Sequence, residues 1–248
     1  MRRLSFVLLV TCCVTVGISA RALSQAYGFS YGNAPALHEW QGLYGGAHLG
    51  GAWGSSSAQD SGGVNVLTDY WSAAPSGVVA GAQLGYNWRN GPLLYGVEGD
   101  LGYLGLAGSA TTTYVPLGYD TSTQTDSGFY MTLRGRLGVI YNQWAFYATG
   151  GYIGADTKVS IVEACDGVFC GPFSVSGSNS SFRNGWTLGG GVEAELGGPW
   201  TAKVEYLYYD LGNTTVTTNV GGLTNTWKVE TDGSLVRAGL NYSFYAPN

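Results

Sequence analysis

Beyond its first 26 residues the chain alternates apolar and polar side chains in stretch after stretch, with no apolar stripe of helical period. A repeat of two is the repeat of a β-strand with two different faces. Eight such segments are legible: Gly42–Trp53, Gly77–Trp88, Leu93–Ala107, Gly128–Tyr141, Trp144–Val159, Asn184–Leu196, Trp200–Leu211 and Gly233–Phe244. Each is long enough to cross a bilayer as a tilted strand, which takes about 9–11 residues. No apolar run in this region is long enough for a spanning helix.

The connections alternate in length. Short turns (Arg89-Asn90-Gly91-Pro92, Asn142-Gln143, Gly197-Gly198-Pro199) follow the even-numbered segments. Stretches 54–76, 108–127, 160–182 and 212–232, rich in Ser, Thr, Gly and Asn, read as long loops after the odd ones. Short turns on one side and long loops on the other is the pattern of outer-membrane barrels. The expected fold is therefore all-β, an eight-stranded antiparallel up-and-down transmembrane β-barrel with both termini on the turn side.

Separating the two phases assigns their solvents. Trp200, Ala202, Val204, Tyr206 and Tyr208 alternate with Thr201, Lys203, Glu205, Leu207 and Tyr209. Leu133, Gly135, Leu137 and Val139 alternate with Thr132, Arg134, Arg136 and Gly138. A soluble barrel could alternate too, with its apolar phase inside. Two observations place that phase in lipid instead. Aromatics gather at segment ends, at Trp53, Trp88, Trp144, Trp186 and Trp200, where an interfacial ring belongs. The polar phase is rich in Gly and sparse in the Lys and Glu of a soluble surface, a poor exterior for a soluble protein.

The lumen then receives Arg134, Arg136, Lys203 and Arg237 together with Glu98, Asp100, Glu193, Glu195 and Glu205. Buried charges of opposite sign are expected to pair, because an uncompensated one is costly. An eight-stranded barrel is just wide enough for side chains to fill it. The expectation is a packed ion-pair network, with lumen-side glycines leaving room for long side chains. His48 falls in the same phase and reads as a polar lumen residue. No Ser or Asp partner is assigned to it, so no catalytic residue is expected, and neither is a cofactor or metal.

Arg2 and Arg3 precede the apolar run Leu4–Ile18, followed by Ala20-Arg21-Ala22 and Ser24-Gln25-Ala26. This reads as a secretory signal over residues 1–26, cleaved after Ala22 or Ala26. Residues 27–41 are then an N-terminal periplasmic segment and 42–248 the barrel. Losing Arg2, Arg3 and Arg21 takes eleven basic residues to eight, against 16 acidic ones. An acidic chain without a basic stripe argues against nucleic-acid binding. Cys12 and Cys13 leave with the leader. Cys165 and Cys170, close together in a secreted chain, read as a disulfide.

Several stretches carry a family likeness: Trp40-Gln-Gly-Leu-Tyr-Gly-Gly46, Gly81-Ala-Gln-Leu-Gly-Tyr-Asn-Trp88, Tyr95-Gly-Val-Glu-Gly-Asp100, Leu133-Arg-Gly-Arg-Leu-Gly138, Gly185-Trp-Thr-Leu-Gly-Gly-Gly-Val-Glu193 and Val236-Arg-Ala-Gly-Leu-Asn-Tyr-Ser-Phe244. Taken in order, they resemble the small outer-membrane β-barrel proteins of alphaproteobacteria, the porin-family or OmpA-like eight-stranded barrels. The resemblance implies surface exposure and a structural role in the envelope. Some such relatives are described as haem-binding surface proteins, but no haem-binding pattern carries onto these residues. Relatives tend to end on the last strand's aromatic, a signal read by the barrel-assembly machinery; here Tyr245-Ala-Pro-Asn248 follows Phe244.

The expected function is that of a structural outer-membrane barrel with a largely closed lumen. The alternatives are a narrow solute channel and a surface binding or adhesion protein acting through the loops. The expected partners are outer-membrane lipid and lipopolysaccharide, the assembly machinery and an extracellular loop ligand, around a monomer that is not an enzyme.

Overall fold

The structure, a computed structural model, describes residues 40–60, 70–114, 119–165, 173–220 and 223–244. The expected leader and most of the N-terminal segment lie outside them. Among the described residues there are nine strands: β1 (Gly42–Asp60), β2 (Tyr70–Ala73), β3 (Ser76–Asn90), β4 (Leu93–Tyr114), β5 (Tyr119–Tyr141), β6 (Trp144–Cys165), β7 (Phe173–Gly197), β8 (Trp200–Val220) and β9 (Leu223–Ser243). Both β2 and β3 pair with β1, in one continuing register. They are a single wall strand interrupted at Ala74-Pro75, where proline has no N–H for a ladder. The Pro75 carbonyl still accepts from the Gly54 N–H at 2.8 Å.

The wall is thus eight strands, each antiparallel to its neighbours, and β9 closes onto β1 from Tyr44↔Ser243 to Asp60↔Trp227. This is the expected eight-stranded antiparallel barrel. Three tight turns join strands at one end. Asn142 adopts φ 54° and Gly198 φ 58°, left-handed geometry that Asn and Gly tolerate best. Each turn is tied to the next strand pair: Ile140 N–H donates to the Pro92 carbonyl (2.7 Å), Glu195 N–H to Gln143 (2.9 Å) and Ser243 N–H to Pro199 (2.8 Å).

Above the opposite end the strands run much further than the apolar alternation indicates. The stretches expected as long loops are largely strand: β4 has 22 residues, β6 22 and β7 25. At about 3.3 Å per residue, 22 residues span roughly 70 Å along the strand. That is well beyond the apolar band of an outer-membrane barrel, which is about 25 Å tall. The reason for the difference is compositional. Ser, Thr and Asn in these extensions satisfy a ladder without presenting a lipid face.

Among the described residues the wall also splits as it rises. Pairing between β7 and β8 stops at Trp186↔Asp210, and β3 leaves β4 after Ser76↔Ala107, with no ladder between β2 and β4. The outer part is therefore two sheets, β4-β5-β6-β7 and β8-β9-β1-β2. A bulge in β8 between Asp210 and Asn213 starts one split. Gly212 there has φ 65°, and its N–H donates to Asp210 Oδ1 at 2.7 Å.

The outer face of the wall is apolar. Leu49, Leu84, Leu101, Leu133, Leu137, Leu188 and Val204 all point outward. Trp53, Trp88, Trp186 and Trp200 stand exposed near the two edges of this band, and Trp144 is half-buried on the same face. Trp88 stacks on Tyr95 at 5.9 Å, and Trp200 meets Tyr242 edge-on at 5.0 Å.

Candidate functional site

The interior of the barrel is layered. At the turn end Trp40 lies across the mouth, packed with Leu94, Ala145 and Ile140, the first three almost wholly buried. Beside Trp40 a cavity of about 10 Å³ is lined by Tyr44, Asn87, Glu193, Thr201 and Asn241. That is room for about one water.

Above this floor sits a charge layer built by register. Glu98 faces Arg134 directly across β4 and β5, Glu193 faces Lys203 across β7 and β8, and Glu205 faces Arg237 across β8 and β9. Each pair occupies the inward phase, so all the charges converge on the axis. Lys203 Nζ reaches across the lumen to both oxygens of Glu98, at 2.9 and 2.8 Å. Arg134 also bonds Glu98, and holds Asp100 at 2.8 Å and Glu205 at 3.1 Å. Arg237 donates to Glu205 through Nε (2.8 Å) and Nη2 (2.6 Å), and to Asp100 at 3.0 Å. Arg136 donates to Glu193 at 2.7 Å and lies over the Tyr147 ring, 4.0 Å from its centre. The four cations and the four carboxylates Glu98, Asp100, Glu193 and Glu205 are joined in one network, with side chains shut off from solvent or nearly so. Glu195, half-buried, stands one inward position nearer the turn, at the rim.

Neutral groups complete these contacts. Tyr44 donates to Glu98 (2.7 Å), Tyr147 to Glu205 (3.1 Å), Thr201 to Glu193 (2.6 Å) and Asn241 to Glu193 (2.7 Å). His48 lies between Gln83 and Tyr130. With Nδ1–H donating to Gln83 Oε1, Nε2 is left to accept from Tyr130, 2.5 Å away. Among the described residues the ring nitrogens of His48 meet Gln83, Tyr130 and Arg237, and no Ser, Thr or Cys. Sequence reasoning missed Tyr44, Tyr147 and Tyr130, although each sits in the Gly-rich inward phase. Several lumenal glycines make room for these rings, and others for Arg237, His48 or Asn241. A Cβ at Gly85 would lie 2.3 Å from the Tyr44 hydroxyl, and one at Gly191 2.6 Å from that of Tyr147.

Above the charge layer the inward phase turns apolar: Val79, Leu104, Leu106, Ile153, Leu207 and Leu235 form a buried cluster. The expectation of an ion-paired lumen does not include this layer, although Leu207 stands in the inward phase. A filled lumen needs polar side chains only where partners exist for them. Beyond the charge layer, aliphatic residues fill the same inward phase. Among the described residues no cluster of His, Cys, Asp and Glu suits a metal. Cys170 and the side chain of Cys165 lie outside the described residues, so the expected disulfide does too.

A family model, the outer membrane protein beta-barrel domain, matches residues 11–244. The chain belongs to this family of outer-membrane β-barrel proteins. It is 30% identical over 207 residues to the 25 kDa outer-membrane immunogenic protein of Brucella abortus, a match covering 84% of this chain and 80% of that one. It is 33% identical over 172 residues to the 31 kDa outer-membrane immunogenic protein of Brucella melitensis, covering 68% of this chain and 67% of the relative. Among solved structures it resembles the outer membrane protein OprG from Pseudomonas aeruginosa, with TM-score 0.51 and 15% identity over 85% of this chain and 99% of that one. Both Brucella relatives are alphaproteobacterial, as the sequence resemblance implies. As a member of this family the chain resides in the bacterial outer membrane, with its apolar wall in lipid.

Proposed function

We propose that this outer-membrane barrel is a structural, non-conducting protein whose lumen is an ion-paired core and whose outer extension is its working surface. The observation that carries this reading is closure in series. An ion would have to pass the Trp40 floor, a charge layer in which every carboxylate is held by cations, and a layer of buried Leu, Ile and Val. The same arrangement speaks against a narrow solute channel. It also argues against catalysis, because the acids are tied to cations. Outer-membrane lipid and lipopolysaccharide are its proposed surroundings, and a monomer its proposed state. Liposome swelling tests the reading. Vesicles holding the refolded protein should swell in a small neutral sugar no faster than empty ones; rapid swelling contradicts it.

A second role, binding at the surface, is supported by the two sheets that rise beyond the aromatic edge. The Brucella relatives' designation as immunogenic fits an exposed outer face. Replacing residues 160–182 by a short turn should abolish host-cell binding if this part carries it; retained binding excludes it.

A further inference from the structure

The two sheets of the outer extension leave strand edges uncovered, and the edges are not alike. Beyond Trp186↔Asp210, β7 pairs only with β6, as far as Cys165↔Phe173. There β8 pairs only with β9, as far as Val220↔Leu223. The two edges face each other across the split. Side chains bridge it in place of a ladder. At its base Arg183 Nη2 donates to the Gly212 carbonyl (2.6 Å), and higher up Asn179 Nδ2 donates to the Thr215 carbonyl (3.4 Å). Both bonds run from β7 side chains to β8 carbonyls. Along the facing edge of β7 every second residue turns its N–H and C=O towards the split. Among the described residues no strand is paired with them.

Natural sheets blunt such edges with proline, charge, a bulge or a short strand. The split between β2 and β4 shows two of these devices. Its β2 has four residues, and Pro75 stands at its base against Gly108, where a Cβ would lie 2.7 Å from Pro75 Cα. The β8 edge starts from the bulge between Asp210 and Asn213. The β7 edge has none of them. Residues 173–182 include no charged residue and no proline, and the ladder with β6 runs from Trp144↔Ala194 to Cys165↔Phe173 without a register shift. A long, regular, neutral edge is a template for one more strand. Its outward side chains select which strand. Ser174, Ser176, Ser178 and Ser180 share the phase of Trp186 and are exposed. Ser or Thr opposite them on an added strand supplies cross-strand hydroxyl bonds, whereas a charge there finds no counter-charge on this edge.

We propose that the β7 edge over residues 173–182 is a docking site for an extended, uncharged segment of a partner polypeptide with Ser or Thr at alternate positions, bound by antiparallel strand addition. Such docking rests on the surface-binding role proposed above and gives it a mode. Main-chain bonds supply the affinity and hydroxyl pairs the selectivity. A segment of this chemistry exists in β8, Asn213-Thr-Thr-Val-Thr-Thr-Asn219, and a synthetic peptide of that sequence is the probe.

The test titrates the labelled peptide against the full refolded protein in detergent, read by fluorescence anisotropy. Two N-methylated versions run beside it, one methylated at its odd positions and one at its even positions. On an added strand only one alternation of N–H groups faces β7. One version should therefore bind about ten-fold or more weaker than the parent, since several main-chain bonds are lost at once, and the other within about two-fold of it. Amide exchange in residues 173–182 should slow when the parent peptide is added, and exchange along the outer part of β4 should not change. An absence of saturable binding, equal effects of the two methylated versions, or slowed exchange only outside residues 173–182 overturns the proposal. If host-cell binding is then still lost on replacing residues 160–182, surface binding stands by another mode. Host-cell binding that survives that replacement rejects the surface-binding role itself, whatever the peptide does.

Discussion

Glu205 and Arg237 face each other on β8 and β9, and two guanidinium nitrogens of Arg237 share one carboxylate oxygen at 2.8 and 2.6 Å. The other Glu205 oxygen accepts from Arg134 and Tyr147. The pair is thus one joint of a larger network rather than an isolated bridge. Removing one member of a buried pair leaves its partner uncompensated, at about 3–5 kcal/mol. Arg237→Met should destabilise the refolded barrel by about that much in urea titrations. The double variant with Glu205→Gln should lose clearly less than the two single losses added. Strict additivity would show that the two side chains are not coupled.

Leu133 and Thr132 are neighbours in sequence with opposite surroundings. Leu133 points to lipid, 62% exposed, and Thr132 points inward, donating to Asp100 at 2.5 Å. An Arg on the lipid face near mid-membrane costs about 2–4 kcal/mol. Leu133→Arg should lower folding stability in lipid vesicles by that order. Thr132→Val should cost about 1–3 kcal/mol, because the buried Arg134 Nε–H loses the hydroxyl that accepts from it at 3.2 Å. A neutral Leu133→Arg would mean that the phases are assigned the wrong way round.

Two strand glycines should respond oppositely to the same change. A Cβ at Gly85 runs into the Tyr44 ring, with contacts at 2.3 and 2.4 Å. A Cβ on the outward-facing Gly135 meets only the Gly150 carbonyl, at 3.9 Å. Overpacking a filled interior costs about 1–3 kcal/mol. Gly85→Ala should therefore destabilise by that amount, and Gly135→Ala should be neutral or slightly stabilising. Equal effects, read from urea midpoints, would count against a tightly filled lumen.

The wall was legible in the sequence because each crossing carries two interleaved chemistries. Lys203 and Glu205 between Ala202, Val204 and Tyr206 give both the strand and its facing. The extensions were not legible for the complementary reason. In β7, Ser174, Ser176, Ser178 and Ser180 pair in a ladder with β6, yet they show no apolar phase from which a strand could be read. The charge network was readable from alternation alone, since register aligns residues of one phase. Its connectivity was not: Lys203 meets Glu98 across the lumen, 105 positions away in sequence. Leu207 and Tyr209 stood in the polar phase from the start. They mark the apolar layer, but nothing in the alternation says that apolar residues there fill the lumen.

The central claim is that the lumen is closed, and electrical recording of the purified full-length protein in a planar bilayer addresses it most directly. With the Trp40 floor, the ion-paired layer and the Leu104–Leu207–Leu235 layer intact, the wild-type protein should insert without producing a steady open-channel current. Large, stable conductance steps from pure wild-type protein would contradict the account.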